Sequence, residues 1–118
     1  MIQPSCKDRV KHEWAGRRED LEKLLENPDN EVGGLGTLSE YGLCIDYVEA
    51  GTFTNQKRGY TRYQFSWGGP GDELRIYRRG RGIDKIEYWF LDWFDGASLN
   101  VTHDKVAIKA ADYALGVF

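Results

Sequence analysis

The sequence predicts an α+β fold: a four-stranded antiparallel meander sheet with an N-terminal and a C-terminal helix packed on it. Three observations carry that expectation. Residues 7–26 place Val10, Trp14, Leu21, Leu24 and Leu25 at three- and four-residue spacing, the period of one helix face. Residues 41–94 alternate polar and apolar side chains in runs separated by short glycine-rich connections, as adjacent antiparallel strands do. Residues 103–115 are alanine-rich, and Val106, Ala107, Ala110, Ala111, Ala114 and Leu115 share a helical face.

In chain order, residues 1–6 are expected to be a loose N-terminus, and Ser5 or Asp8 suits the cap of the first helix. Arg17 interrupts the apolar stripe of that helix and Gly16 weakens it. Pro28 ends it, because the residue before a proline is biased away from helical dihedrals. Residues 27–40 form a polar connection. The first strand, 41–49, alternates Leu43, Ile45 and Tyr47 with Gly42, Cys44 and Asp46. The second, 59–67, sets Thr61, Tyr63, Phe65 and Trp67 against Tyr60, Arg62, Gln64 and Ser66. The third, 73–79, sets Leu74 and Ile76 against Arg75, Tyr77 and Arg79. The fourth contains Ile86–Phe94, with bulky groups on both faces: Ile86, Tyr88, Phe90 and Phe94 on one, Trp89, Leu91 and Trp93 on the other. A strand of that kind belongs inside its sheet, with both faces covered or one reserved for a partner. Residues 97–101 read as irregular, and Thr102 suits the cap of the last helix.

A chain of 118 residues makes one domain, 1–118. A hydrophobic content of 41%, with 14% aromatic, is enough for a packed core. The net charge of -3 from 16 basic and 19 acidic side chains gives no global pull toward nucleic acid or anionic lipid, and it is too mild for a nucleic-acid mimic. Two cysteines make no disulfide framework, and the N-terminal residues Pro4, Lys7, Asp8 and Arg9 stand where a signal peptide would be apolar. A cytoplasmic location with reduced thiols is therefore expected, with Cys44 as a small core residue.

Chemistry-bearing residues are sparse in pattern. Cys6, His12, Cys44 and His103 lack metal-ligand spacing, and no nucleotide-binding loop or nucleophile elbow occurs, so no metal and no cofactor are expected. Asp92 shares the parity of Tyr88 and Phe90. On an aromatic face a carboxylate is either a perturbed acid or the partner of an arginine such as Arg62 or Arg75, and ion pairing is the commoner case. Glu87 is a second candidate acid. Arg75, Arg78, Arg79 and Arg81 concentrate positive charge about one turn, near Tyr60, Tyr63 and Tyr77. Cations interleaved with rings suit a single-stranded nucleic acid, whereas a charged hairpin that protects a sheet edge is the more ordinary reading.

The strings Gly59-Tyr60-Thr61-Arg62-Tyr63-Gln64-Phe65-Ser66-Trp67-Gly68-Gly69-Pro70 and Ile86-Glu87-Tyr88-Trp89-Phe90-Leu91-Asp92-Trp93-Phe94-Asp95-Gly96-Ala97, with 41–54, are distinctive. Across residues 41–97 the chain resembles a family of small accessory proteins carried on bacterial plasmids, prophages and other mobile elements. The turn Arg78–Asp84 departs from the family, which is longer and more acidic there. The resemblance implies an anti-defence role, anti-CRISPR or anti-restriction, exerted by stoichiometric binding to a host protein complex. The residues expected to bind the partner are Tyr60, Arg62, Arg75, Tyr77, Arg78, Arg79, Arg81, Asp92, Trp93 and Asp95. A single-stranded nucleic-acid module using the arginine hairpin is the alternative, and a small hydrolase using Asp92 or Glu87 a third. No membrane partner is expected, and a homodimer stays open.

Overall fold

In a computed structural model, which describes residues 4–68 and 70–117, the chain forms α1 (Cys6–Glu26), a 3₁₀ turn (Gly33–Leu35), α2 (Leu38–Tyr41), β1 (Cys44–Val48), β2 (Tyr60–Ser66), β3 (Gly71–Arg79), β4 (Gly82–Asp92), β5 (Asp95–Asn100) and α3 (Lys105–Ala114). The sheet is an antiparallel meander in the order β1-β2-β3-β4-β5. It has five strands where four were expected. The additional one, β5, occupies residues read as irregular: Ala97 and Leu99 pack on the core while Ser98 and Asn100 face out. That alternation is masked in the sequence by Gly96 and Asn100, both turn formers. Trp93 and Phe94 do not extend β4 but make the two-residue turn into β5, with Asp92 opposite Asp95.

Ser5 caps α1 by accepting a hydrogen bond from the Asp8 amide, and Cys6 is buried as the first helical residue, so the loose N-terminus does not reach it. Residues 1–3 of that segment lie outside the described residues. The cap of α3 is Asp104 rather than Thr102. Its carboxylate accepts from the Val106 and Ala107 amides and pairs with Arg18 of α1 at 2.8 Å. Thr102 instead accepts from the Ile86 amide. Burial raises the Asp104 carboxyl, but the hydrogen bonds from Arg18 and from the Ala107 and Val106 amides, with the Arg18 charge, together hold it below its usual range.

Both helices lie on one face of the sheet. Val10, Trp14, Leu21, Leu24 and Leu25 of α1, with Val106, Ala107, Ala110 and Ala111 of α3, pack over Tyr63, Phe65, Leu74, Ile76, Ile86, Tyr88 and Phe90. Arg17, the interruption in the α1 stripe, points into this layer. Its guanidinium makes a two-pronged contact with Asp72 (Nε–Oδ2 2.8 Å, Nη2–Oδ1 2.9 Å) and donates to the Tyr41 hydroxyl. Asp72 is only 4% exposed and also accepts from the Ser66 and Tyr88 hydroxyls. Ser66 can reach it because a bulge after Gln64 shifts the register. The same shift leaves Trp67 exposed, not aligned with Tyr63 and Phe65 on the core. Burial, then the Asp72 charge, pushes the Tyr88 hydroxyl pKa far up.

The helical layer does not cover the edge strand β1. Leu43, Ile45 and Tyr47 are exposed, and so is Cys44, against the expectation of a core thiol. The β3–β4 hairpin joins two interior strands, so its charges guard no sheet edge. Among the described residues no helix is long and apolar enough to cross a membrane.

Removing one partner of a buried ion pair is costly, whereas replacing both by apolar groups is tolerated. Asp72→Ala should therefore cost about 3–5 kcal/mol in urea denaturation. The double replacement Arg17→Met with Asp72→Leu should recover part of that loss. A double variant no more stable than Asp72→Ala would show that the pair is not what matters there.

Candidate functional site: the open face of the sheet

The face opposite the helices carries the other parity of each strand. Reading across it, Arg62 of β2 stands directly opposite Arg75 of β3, which stands opposite Glu87 of β4. One step along, Gln64, Glu73 and Trp89 form the parallel row. The long β1–β2 connection lies at one side and holds its shape through its own bonds, Gln56 donating to the carbonyls of Glu49 and Arg58. Together these elements enclose a cleft of about 650 Å³, walled by Phe53–Arg58 and floored by Tyr60, Arg62, Glu73, Arg75, Tyr77 and Trp89.

Its electrostatics are tightly matched. Arg62 donates from Nε and Nη2 to the two oxygens of Asp46 (2.9 and 2.6 Å), which holds the Asp46 carboxyl below the usual range, burial opposing. Arg75 donates from Nε to Glu73, itself buried, at 2.8 Å. The Arg75 guanidinium sits over the Trp89 ring at 4.2 Å and the Tyr60 ring at 5.0 Å, a cation–π stack that fixes its plane. Trp89 in turn donates its indole N–H to Glu87 at 3.1 Å. Lys85 and Arg58 lie over the Tyr77 ring, and Arg58 pairs with Asp84. Burial, then the Glu87 charge, pushes the Tyr77 hydroxyl up to about 12. Four cations (Arg58, Arg62, Arg75 and Lys85) thus pair with four carboxylates (Asp84, Asp46, Glu73 and Glu87) on or beside this face, and Lys57 is a fifth cation in the cleft wall.

Of the residues expected to bind a partner, the fold brings Tyr60, Arg62, Arg75 and Tyr77 together in the cleft. Arg78, Arg79 and Arg81 are exposed at the β3–β4 turn, where Arg78 donates weakly to the Arg81 carbonyl and Arg79 lies 3.6 Å from Asp84. Asp92, Trp93 and Asp95 are at the opposite end of β4, about 35 Å away at roughly 3.3 Å per residue. There Asp92 pairs with Arg9 at 2.7 Å and Asp95 accepts from the Cys6 amide, so both acids hold the start of α1. The arginine partner of Asp92 thus comes from the helix, not from Arg62 or Arg75 on a neighbouring strand. Trp93 is 85% exposed and Phe94 fully so. Reasoning from sequence passed over Trp89, Asp46 and Phe53 as site residues. The signal for the first two was the period-two parity they share with Arg62 and Arg75; Phe53, in the loop, had none.

The arrangement is suited to recognition. Rings, guanidiniums and carboxylates are pre-set in a concave surface, and the candidate acids Asp92 and Glu87 are both held in ion pairs or hydrogen bonds. No family model, curated protein or solved structure matches this chain.

The two aromatic residues that adjoin across β4 separate core from site. Phe90→Ala, in the core, should cost about 3–5 kcal/mol, whereas Trp89→Ala, on the open face, should cost markedly less in the same denaturation assay. Equal losses would put Trp89 in the core. At the far turn, Trp93 adopts φ 57°, a left-handed conformation that costs a non-glycine residue energy. Trp93→Gly should therefore raise stability by up to about 1 kcal/mol, and a loss would show that the ring makes contacts the turn depends on.

Proposed function

We propose that this is a non-catalytic binding protein that holds a partner protein against the open face of its sheet. The observation that carries the reading is the one-sided packing: α1 and α3 cover one face, while the other has no helix over it and keeps Trp89 half-buried at the cleft beside Arg62 and Arg75, above a small second core of Val48, Tyr60 and Tyr77. Aromatic side chains and arginine are the residues that anchor protein interfaces. The matched charges of the cleft support a protein partner over a nucleic acid, since a phosphate backbone is held by unneutralised cations. The likeness to accessory proteins of bacterial mobile elements suggests a host defence complex as the target, inhibited by stoichiometric binding.

The exposed Arg78, Arg79 and Arg81 add positive charge near the cleft, and in this reading they steer an acidic partner surface. Tagged protein recovered from bacteria that carry defence systems should bring down a defined complex. Trp89→Glu should abolish that recovery without unfolding the protein. Replacing the three turn arginines by glutamine should leave stability within about 0.5 kcal/mol and slow association rather than hasten dissociation. Submicromolar, salt-sensitive oligonucleotide binding by the unaltered protein, lost in the triple variant, would put the nucleic-acid reading in its place.

A further inference from the structure

Arg62 and Arg75 are directly opposed on adjacent strands, a position where like charges repel at about 5 Å between Cβ atoms. Each uses part of its guanidinium on its own carboxylate: Arg62 its Nε and Nη2 on Asp46, Arg75 its Nε on Glu73. Among the described residues nothing accepts from Nη1 of Arg62 or from either terminal nitrogen of Arg75. The two side chains are 22% and 17% exposed, and the Arg75 plane is fixed between the Trp89 and Tyr60 rings. Both side chains line one cleft, and each keeps terminal N–H donors beyond those that its own carboxylate uses.

Resting on the reading of this face as a protein-docking surface, we infer that Arg62 and Arg75 form a clamp for a single carboxylate. It is borne by an acidic segment of the partner whose neighbouring aromatic side chain lies against Trp89, Leu91 and Phe53. A guanidinium fork matches a carboxylate in two-point geometry, and a shared anion relieves the repulsion between the two arginines. A lone carboxylate suits the site better than a nucleic-acid strand. A strand brings a phosphate with every nucleotide, and Asp46, Glu73 and Glu87 would stand against the next ones along. Leu91 and Phe53 supply the apolar contact that a phosphate chain would leave unused.

The test uses the full chain, labelled with ¹⁵N, and two blocked peptides, acetyl-Gly-Asp-Phe-Gly-amide and its asparagine counterpart. Inorganic phosphate and oligo-dT are titrated in parallel. The aspartyl peptide should shift the Arg75 Nε and Trp89 Nε1 signals and bind at least tenfold more tightly than the asparaginyl one. Arg75→Lys keeps the charge and removes the fork, and should weaken the aspartyl peptide at least tenfold. Arg62→Lys serves if the first variant does not fold, and the aspartyl–asparaginyl difference in the unaltered protein needs no variant. Equal binding of the two peptides, shifts confined to the Arg78–Arg81 turn, no shift with any ligand, or tighter binding of phosphate or oligo-dT would each overturn the clamp. If the clamp fails while Trp89→Glu still abolishes recovery of the partner, the docking face stands without it. If Trp89→Glu recovers the partner unchanged, the docking face itself is wrong.

Discussion

The fold depends on one buried contact, the fork of Arg17 on Asp72. Asp72 is the meeting point of α1, β2, β3 and β4, since it also accepts from Ser66 and Tyr88. Arg17 extends the network through the Tyr41 hydroxyl to Asp20, so α2 is held by the same cluster, and its guanidinium packs over the Tyr41 and Phe65 rings. A buried pair of this kind contributes little net stability relative to apolar packing, because desolvation offsets much of the attraction. Its effect is on choice. A helix docked on the other face would leave Asp72 charged and unpaired in the core.

That choice explains how much could be read in advance. The apolar stripe of α1 and the alternation in β2, β3 and β4 were legible, and so was the grouping of Tyr60 with Arg62 and of Arg75 with Tyr77. Which face the helices cover was not legible, because β4 carries bulky rings on both and parity alone does not rank them. The deciding signal was Arg17, a cation inside an apolar stripe, which periodicity counts only as a flaw. β5 was hidden for a different reason. Trp93 and Phe94 have strong strand propensity, yet they occupy a two-residue turn, and Gly96 and Asn100 look like loop residues inside a strand. Tertiary pairing overrode local preference at both. The intramolecular partners of Asp92 and Asp95, Arg9 and the Cys6 amide, lie 83 and 89 residues away, and no local pattern reports on such a distance.

The two faces of the sheet solve one problem in different ways. On the helix side a single carboxylate is surrounded by donors and removed from water. On the open side Asp46, Glu73, Asp84 and Glu87 each have a cation beside them, and Arg75 stacks on the half-buried Trp89 ring, so the surface stays compatible with water while that ring is held rigid. Rings held by stacked arginines lose little rotamer freedom on contact. A face built this way is ordered in the free chain, unlike the flexible apolar surfaces of promiscuous binders.

The meander also sets an order in time. Each strand pairs with its sequence neighbour, and hairpins between near neighbours close with little loss of chain entropy. The ties of α1 to Asp72, Asp92 and Asp95 instead close loops of 55, 83 and 89 residues, and loop-closure entropy makes such contacts late. During synthesis the first helix made is therefore the last to find its place. Until β4 and β5 have formed, its apolar stripe has no sheet to rest on, and the nascent chain passes through a stage in which both faces of the sheet lie open.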